Sequence, residues 1–160
     1  MLSWRGDTLL GLMQRRLRES GVARVIVSGA YPDCDAIPDR FAGLGPLGGL
    51  ASVADALPDG PMLVVPVDMP LLSPGLLRYL REHPATACAC FEAHPLPLRL
   101  RLDRVSRSAL ALLLAGAARG RSLRALHAAL GGETLALPTP WQGQLRDADT
   151  PAVWRRLASG

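Results

Sequence analysis

The hydrophobic pattern of the chain alternates between short apolar runs and longer segments with helical spacing. Residues 23–27 and 62–67 are apolar runs rich in β-branched residues, which is typical of strands covered on both faces of a parallel sheet. The predicted helices place their apolar faces at Leu9, Leu10, Met13, Leu17; Leu47, Leu50, Ala54, Leu57; Leu76, Leu77, Leu80; Leu110, Leu113, Leu114; and Leu123, Leu126, Leu130. This alternation of strands and helices predicts an α/β domain.

Polar residues mark where these helices begin and which sides face water. The candidate N-caps are Asp7 or Thr8, Ser73 before Pro74, Ser106 or Ser108, Ser122, and Thr150 before Pro151. On the first helix, Arg15, Arg16 and Arg18 are expected to face water. The sequence has no repeats and no low-complexity linker, so residues 1–160 are predicted to form a single domain.

Further strands are predicted from shorter patterns. Residues 36–39 read as an edge strand, because Pro38 lacks the amide that a central ladder needs. Residues 85–91 and 134–137 are further short strands. Residues 98–103 alternate leucine with charged residues, as a half-buried strand does, and follow a turn-rich crossing at 92–97.

Composition narrows the class of protein. The formal charge of +4 comes entirely from arginine, since the chain has no lysine, and the scattered arginines indicate a genome-wide compositional bias more than selection for nucleic acid. A pI near 9.6 still favours anionic ligands in general. The thiols of Cys34, Cys88 and Cys90 are expected to be free in a reducing cytoplasm. No apolar run is long enough to span a bilayer, and no signal peptide is visible. We therefore expect a soluble cytoplasmic protein.

Two stretches carry candidate chemistry. Asp68 follows the predicted strand at 62–67, and an acid at a strand's carboxyl end can hold a metal or polarise a substrate; alternatively, it caps a turn. Residues 41–50 are rich in glycine and lead into a helix, whose free N-terminal amides attract phosphate. The same glycines could instead permit close packing of the helix on the sheet.

Four motifs then resemble one known family. They are Gly-Pro-Leu-Gly-Gly at 45–49, Val-Pro-Val-Asp-Met-Pro-Leu-Leu at 65–72, His-Pro-Leu-Pro at 94–97 and Asp-Thr-Pro at 149–151. In order and spacing they resemble the molybdenum cofactor guanylyltransferases. The resemblance implies a Rossmann-like nucleotidyltransferase fold, with a mostly parallel sheet and helices on both faces. It also implies transfer of GMP from GTP to molybdopterin with Mg²⁺, releasing pyrophosphate.

The resemblance also implies residue roles. Asp68 matches the family's magnesium-binding aspartate, which makes it the candidate catalytic residue, and Asp39 matches an acid near the guanine. Four residues match the loop that faces the nucleotide: Gly45, Pro46, Leu47 and Gly48. Asp147 and Asp149 stand in the acceptor region where the family usually has Asn-x-Asn, so two added charges could assist a metal or repel a pterin phosphate.

The main departure from the family is at the front of the chain. The family opens with a strand, a glycine-rich loop and a lysine that grips phosphate, whereas the segment at residues 3–10 aligns after that loop. We therefore expect the first strand to be missing, with the gap closed by direct pairing, by an upstream segment, by a homo-oligomer or by a partner chain. The function is then an impaired guanylyltransferase or a non-catalytic module that binds molybdopterin or a partner; a start codon placed too far downstream is the third possibility.

Overall fold

Helices and strands alternate along the chain in the computed structural model of the protein, which describes residues 3–4, 7–41, 43–84 and 87–146. The strands are β1 (Ser3–Trp4), β2 (Asp7–Thr8), β3 (Val27–Ser28), β4 (Ala36–Ile37), β5 (Gly60–Val64), β6 (Cys88–Phe91), β7 (His94–Leu102) and β8 (Glu133–Leu135). The helices are α1 (Leu9–Glu19), α2 (Gly45–Ala56), α3 (Pro74–Glu82), α4 (Arg104–Ala115) and α5 (Leu123–Ala129). Single 3₁₀ turns lie at Ala118–Gly120 and Thr139–Trp141.

The largest sheet has the strand order β5-β7-β6-β8. Strands β5, β6 and β8 run in one direction, and β7 lies antiparallel between β5 and β6. A second, two-stranded sheet pairs β3 with β4 in parallel, and β1 pairs with β2 antiparallel. Three of the four strands of the large sheet run in the same direction, as expected for a mostly parallel sheet. Among the described strands, however, only β3–β4 and β6–β8 are neighbours that pair in parallel.

Helices cover both faces of the large sheet, as the resemblance implies. On one face α1 and α3 pack around Phe91 and Leu135. On the other face α2, α4 and α5 pack against Cys88, Cys90 and the leucines of β7. Leu76, Leu77 and Leu80 of α3 are fully buried, and each such side chain stabilises the fold by about 2 kcal/mol.

Three of the predicted N-caps are confirmed and one is wrong. Thr8, Ser73 and Ser122 each accept a hydrogen bond from a first-turn amide of α1, α3 or α5. Helix α4 is capped by Asp103, whose carboxylate accepts from the Ser106 amide at 2.9 Å while Ser106 Oγ accepts from the Asp103 amide. The Ser106 amide lowers the pKa of Asp103. Thr150 lies outside the described residues.

The strand predictions need three corrections. The run at 62–67 forms a strand only to Val64, and it lies half-buried at the edge of the large sheet, antiparallel to β7. The run at 23–27 contributes only Val27 to a strand, because β3 has no described neighbour except β4. The turn-rich crossing at 92–97 is wrong, since β7 already begins at His94 and pairs with β6 there.

Two further observations concern the state of the three cysteines and the length of the helices. Cys34, Cys88 and Cys90 are free, as predicted. Burial, together with the nearby Cys90, raises the pKa of the Cys88 thiol to about 11. Within the part of the chain that the structure describes, no helix is long and apolar enough to cross a membrane.

Candidate nucleotide-binding groove

A groove of about 1110 Å³ separates the two-stranded sheet of β3 and β4 from strand β5 at the edge of the large sheet. One wall is formed by residues 22–28 together with α2, and the other by β5 and the loop that carries Asp68. The lining is largely apolar and includes Val22, Val25, Leu50, Val53, Leu63 and Val65. Of the alternatives for the missing first strand, direct pairing of residues 23–27 with 62–67 is therefore wrong for the described residues, because open space lies between them.

Polar groups enter this groove just beyond the ends of three strands. Ser28 ends β3, Asp39 follows β4 by two residues, and Asp68 follows β5 by four. Ligands of α/β sheets gather at the carboxyl ends of strands, so this is the expected place for a binding site. The structure thus brings the two predicted acids, Asp39 and Asp68, to one groove.

The carboxylate of Asp68 has an unusual environment. Its Oδ1 atom is buried and has no hydrogen-bond partner within the protein. A buried carboxylate oxygen without a partner costs free energy unless a cation or a donor from a ligand satisfies it. If Asp68 capped a turn through this oxygen, Oδ1 would accept a hydrogen bond from a nearby backbone amide, and it accepts none.

The loop that carries Asp68 is anchored from two sides. The Arg16 guanidinium donates to the carbonyl of Leu72 at 2.6 Å and also to that of Pro70. Gln144 Oε1 accepts from the Ser73 amide at 2.9 Å. Burial lowers the pKa of Arg16, and the adjacent Arg15 lowers it further. The prediction that Arg16 faces water is wrong, because its guanidinium reaches across to this loop.

Asp39 is held firmly on the other wall. Its Oδ1 atom accepts a hydrogen bond from the Phe41 amide at 3.0 Å. Ser52 Oγ lies 3.0 Å from the same oxygen, and it also accepts from the Arg40 amide at 2.9 Å. These bonds tie the turn after β4 to the buried middle of α2.

The N-terminus of α2 also reaches the groove. Gly45 has φ +64°, which favours glycine, and both Gly45 and Pro46 line the groove. No side chain caps the first turn, so its free amides and the helix dipole favour an anion there. Of the other two predicted loop residues, Leu47 is fully buried in the core and Gly48 is buried, and neither lines the groove.

Gly48 and Gly49 let α2 pack closely on its neighbours. A Cβ at Gly48 would lie 2.6 Å from the Phe41 carbonyl oxygen, and one at Gly49 would lie 2.7 Å from Ser28 Oγ. Gly48 and Gly49 therefore serve the close packing of the helix, which is one of the two roles considered for the glycine-rich stretch. Gly45 fits the other role, close approach to a ligand. Gly49, which belongs to the glycine-rich stretch but not to the residues matched to the nucleotide loop, does line the groove.

The arginines that line the groove already have protein partners. Arg24 forms a two-bond pair with Asp35, at 2.6 and 2.8 Å. Arg81 donates to the Gly21 carbonyl and to Glu82, and Arg99 Nε lies 3.3 Å from the Arg81 carbonyl. An incoming phosphate at these three positions has to compete with existing bonds.

The sequence did not indicate the roles of Ser52 and Arg16 at this site, and the predicted acceptor residues lie outside the described part of the chain. Ser52 is the one hydroxyl in the buried run from Leu47 to Ala54, and a buried polar group requires partners. Arg16 follows Leu12 by four residues on the apolar side of α1. Asp147 and Asp149 lie outside the described residues, so their assignment to the acceptor region stays a prediction.

Comparison with known proteins agrees with this picture. The family model for the MobA-like NTP transferase domain matches residues 1–134. A molybdenum cofactor guanylyltransferase from Xanthomonas euvesicatoria pv. vesicatoria (strain 85-10) is 45% identical over 158 residues, which cover 98% of this chain and 84% of that protein.

Two solved structures share the fold. The crystal structure of molybdopterin-guanine dinucleotide biosynthesis protein A from Archaeoglobus fulgidus matches with a TM-score of 0.75 and 15% identity, over 99% of this chain and 87% of that one. An Aquifex aeolicus VF5 protein matches with a TM-score of 0.59 and 18% identity, over 72% of this chain and 62% of that one.

Fold and groove together define an α/β nucleotidyltransferase-type domain, with acidic side chains and an open helix N-terminus at one ligand-sized cavity. The chain belongs to the MobA-like NTP transferase family. The predicted family and fold class are thereby confirmed.

Proposed function

We propose that this protein transfers GMP from GTP to molybdopterin with the help of Mg²⁺. The observation that carries the proposal is the buried Asp68 Oδ1, which lacks a protein partner in the lining of a groove large enough for a nucleotide. The 45% identical relative is named a molybdenum cofactor guanylyltransferase, and that name supports the same reaction here. GTP and molybdopterin are then the small-molecule substrates.

The donor set of the groove fits magnesium better than a metal held by protein alone. In the described residues, no group of three or more His, Cys, Asp or Glu side chains is arranged to hold a metal. Mg²⁺ is commonly bound through one or two carboxylates together with substrate phosphates and water. Asp68 would supply that carboxylate, and the bound ion would neutralise charge on the phosphates.

The other groups of the groove have separate tasks in this proposal. The free amides at the start of α2 bind phosphate oxygens, and Asp39 accepts from the guanine base. A phosphate oxygen of molybdopterin forms the new bond to the α-phosphorus of GTP. The bond from that phosphorus to the bridging oxygen breaks, and pyrophosphate leaves with the electron pair. Positioning and charge stabilisation supply most of the rate enhancement in such transfers.

Calorimetry of GTP binding with Mg²⁺ tests the proposal. We expect micromolar binding to the unaltered protein and a loss of at least tenfold in affinity in Asp68→Ala, because a charged contact contributes about 1.5–3 kcal/mol. Asp59→Asn is the matched control, since Asp59 lines the same groove just before β5 and pairs with Arg107, which does not line it. Its GTP affinity should be unchanged.

A binding module without turnover is the second candidate function. It is favoured by the lack of lysine and by the existing partners of the three groove arginines, which leave few cations for a triphosphate among the described residues. If neither the unaltered protein nor Asp68→Ala binds GTP while molybdopterin still binds, the transferase proposal is wrong and the module is supported.

We also propose that a second chain adds a strand at the free edge of β5, and that the protein works in the cytoplasm. Strand β5 pairs only with β7 among the described strands, and apolar residues line the groove between residues 22–26 and β5. The added strand would occupy this apolar part and leave the end with Asp39, Asp68 and Gly45 for the nucleotide. Light scattering after size exclusion should give a multiple of the 17.0 kDa chain mass. A mass equal to one chain would contradict a homo-oligomer.

A further inference from the structure

We propose that Ser52 is a positioning residue for base recognition: it holds the Asp39 carboxylate so that Oδ2 meets the donor groups of guanine. The inference rests on the proposed function, because it assigns a task within the same groove. Ser52 itself is fully buried and does not line the groove. It therefore acts through Asp39 and does not touch the nucleotide.

The hydrogen bonds around Asp39 determine which oxygen is left for a ligand. Oδ1 receives the Phe41 amide at 3.0 Å and faces Ser52 Oγ at 3.0 Å. A carboxylate oxygen offers about two lone-pair sites, so Oδ1 is fully occupied when Ser52 directs its proton to it. Oδ2 keeps both of its sites. Because Asp39 lines the groove and is exposed, those sites are available to a ligand.

Ser52 also fixes the backbone that carries this carboxylate. Its Oγ accepts from the Arg40 amide at 2.9 Å, so the residue after Asp39 is tied to α2 as well. The hydroxyl has one proton and two acceptors in reach, Asp39 Oδ1 and the Gly48 carbonyl at 2.9 Å. Removing Oγ thus releases the turn and its side chain together.

Guanine is the base whose edge suits a carboxylate in this position. Its N1–H and 2-amino groups both donate hydrogen bonds, and an ionised aspartate side chain can only accept them. Inosine triphosphate, ITP, lacks the 2-amino group but keeps the rest of the nucleotide. The ratio of GTP to ITP affinity therefore reports how well Asp39 is aimed, independently of how phosphate binds.

The test compares Ser52→Ala with Ser106→Ala by calorimetry of both nucleotides with Mg²⁺. Ser106 is 2% exposed and Ser52 0%, but Ser106 caps α4 and is absent from the groove lining, so its loss controls for the general cost of removing a buried hydroxyl. We expect the GTP-to-ITP ratio to fall about fivefold in Ser52→Ala, the size of one hydrogen bond. In Ser106→Ala the ratio should stay the same while the melting temperature falls.

Ser52→Cys puts a somewhat larger group with a much weaker donor in place of the hydroxyl, and it replaces Ser52→Ala if the alanine variant does not fold. An unchanged ratio in a folded Ser52 variant, with normal GTP preference in the unaltered protein, would overturn the positioning role and leave the proposed function intact. If the unaltered protein binds neither nucleotide, the proposed function itself fails.

Discussion

The two acids of the groove, Asp39 and Asp68, differ in how the protein holds their carboxylates. Asp39 is exposed, yet its Oδ1 has two protein partners that tie it to the turn and to α2. Asp68 is half-buried, and its Oδ1 is enclosed without a partner. The supporting bonds around Asp68 go to the backbone of the following loop and leave the side chain alone.

This difference separates two kinds of recognition. A carboxylate whose orientation is fixed by hydrogen bonds is suited to read a pattern of donors, because its free lone pairs point in set directions. A buried oxygen without a partner gains most from a cation, which satisfies it from any nearby direction. We therefore assign base recognition to Asp39 and metal binding to Asp68, and a separate variant tests each assignment.

Asp68→Asn should have the largest effect on activity. The variant keeps the shape of the side chain but loses the charge that Mg²⁺ requires, so we expect kcat/KM for GMP transfer to fall on the order of 10²- to 10³-fold. The Mg²⁺ concentration for half-maximal rate should rise, and the GTP-to-ITP ratio should not change. If Asp68→Asn showed the normal dependence of the rate on Mg²⁺, Asp68 would not be a ligand of the metal.

Asp39→Asn should give the reverse pattern. The amide presents a donor where the guanine base also donates, so we expect KM for GTP to rise about 10- to 100-fold, the range of a lost charged hydrogen bond. Steady-state kinetics with GTP and ITP measure this, and the magnesium dependence should stay as in the unaltered protein. Equal losses with both nucleotides would show that Asp39 does not read the 2-amino group.

Arg16→Met tests the support of the Asp68 loop. Methionine keeps much of the apolar stem but cannot donate to the carbonyls of Pro70 and Leu72. We expect the free energy of unfolding to fall by about 2 kcal/mol, measured by urea denaturation. The GTP-to-ITP ratio should be unaffected, because the Asp39 wall is separate. Arg16→Lys should recover part of the loss, since one donor can still reach.

The sequence allowed much of the fold to be predicted, because the helices follow local rules. The spacing of leucines placed α1 to α5, and the caps at Thr8, Ser73 and Ser122 depend only on nearby residues. The extents of β3 and β5 could not be predicted in this way, because pairing with distant partners decides them. The apolar run at 62–67 ends as a strand at Val64, the last residue that β7 pairs.

The site could be predicted only in part, for the same reason. Asp39 and Asp68 were found from motifs, and the structure places both at one groove. The roles of Arg16 and Ser52 depend on contacts across 54 and 13 positions of the chain, which local patterns do not reveal. Leu47 and Gly48 belong to the matching motif, yet they serve the core and the packing of α2.

The smallest expected effect is that of Gly49→Ala, which we compare with Gly48→Ala in the same helix. In Gly49→Ala the new methyl group meets Ser28 Oγ, a side chain that can turn away, so we expect a loss of about 1 kcal/mol in unfolding free energy. Combining it with Ser28→Ala should recover most of that loss, because the next nearest atom lies at 3.8 Å. In Gly48→Ala the methyl group meets the Phe41 carbonyl oxygen, so a loss of about 2–3 kcal/mol should remain whether or not Ser28 is changed. Urea denaturation of the four variants measures these differences. Full recovery of Gly48→Ala by Ser28→Ala would mean that α2 packs on this wall differently from the contacts described, and the anchoring of Asp39 would need the same revision.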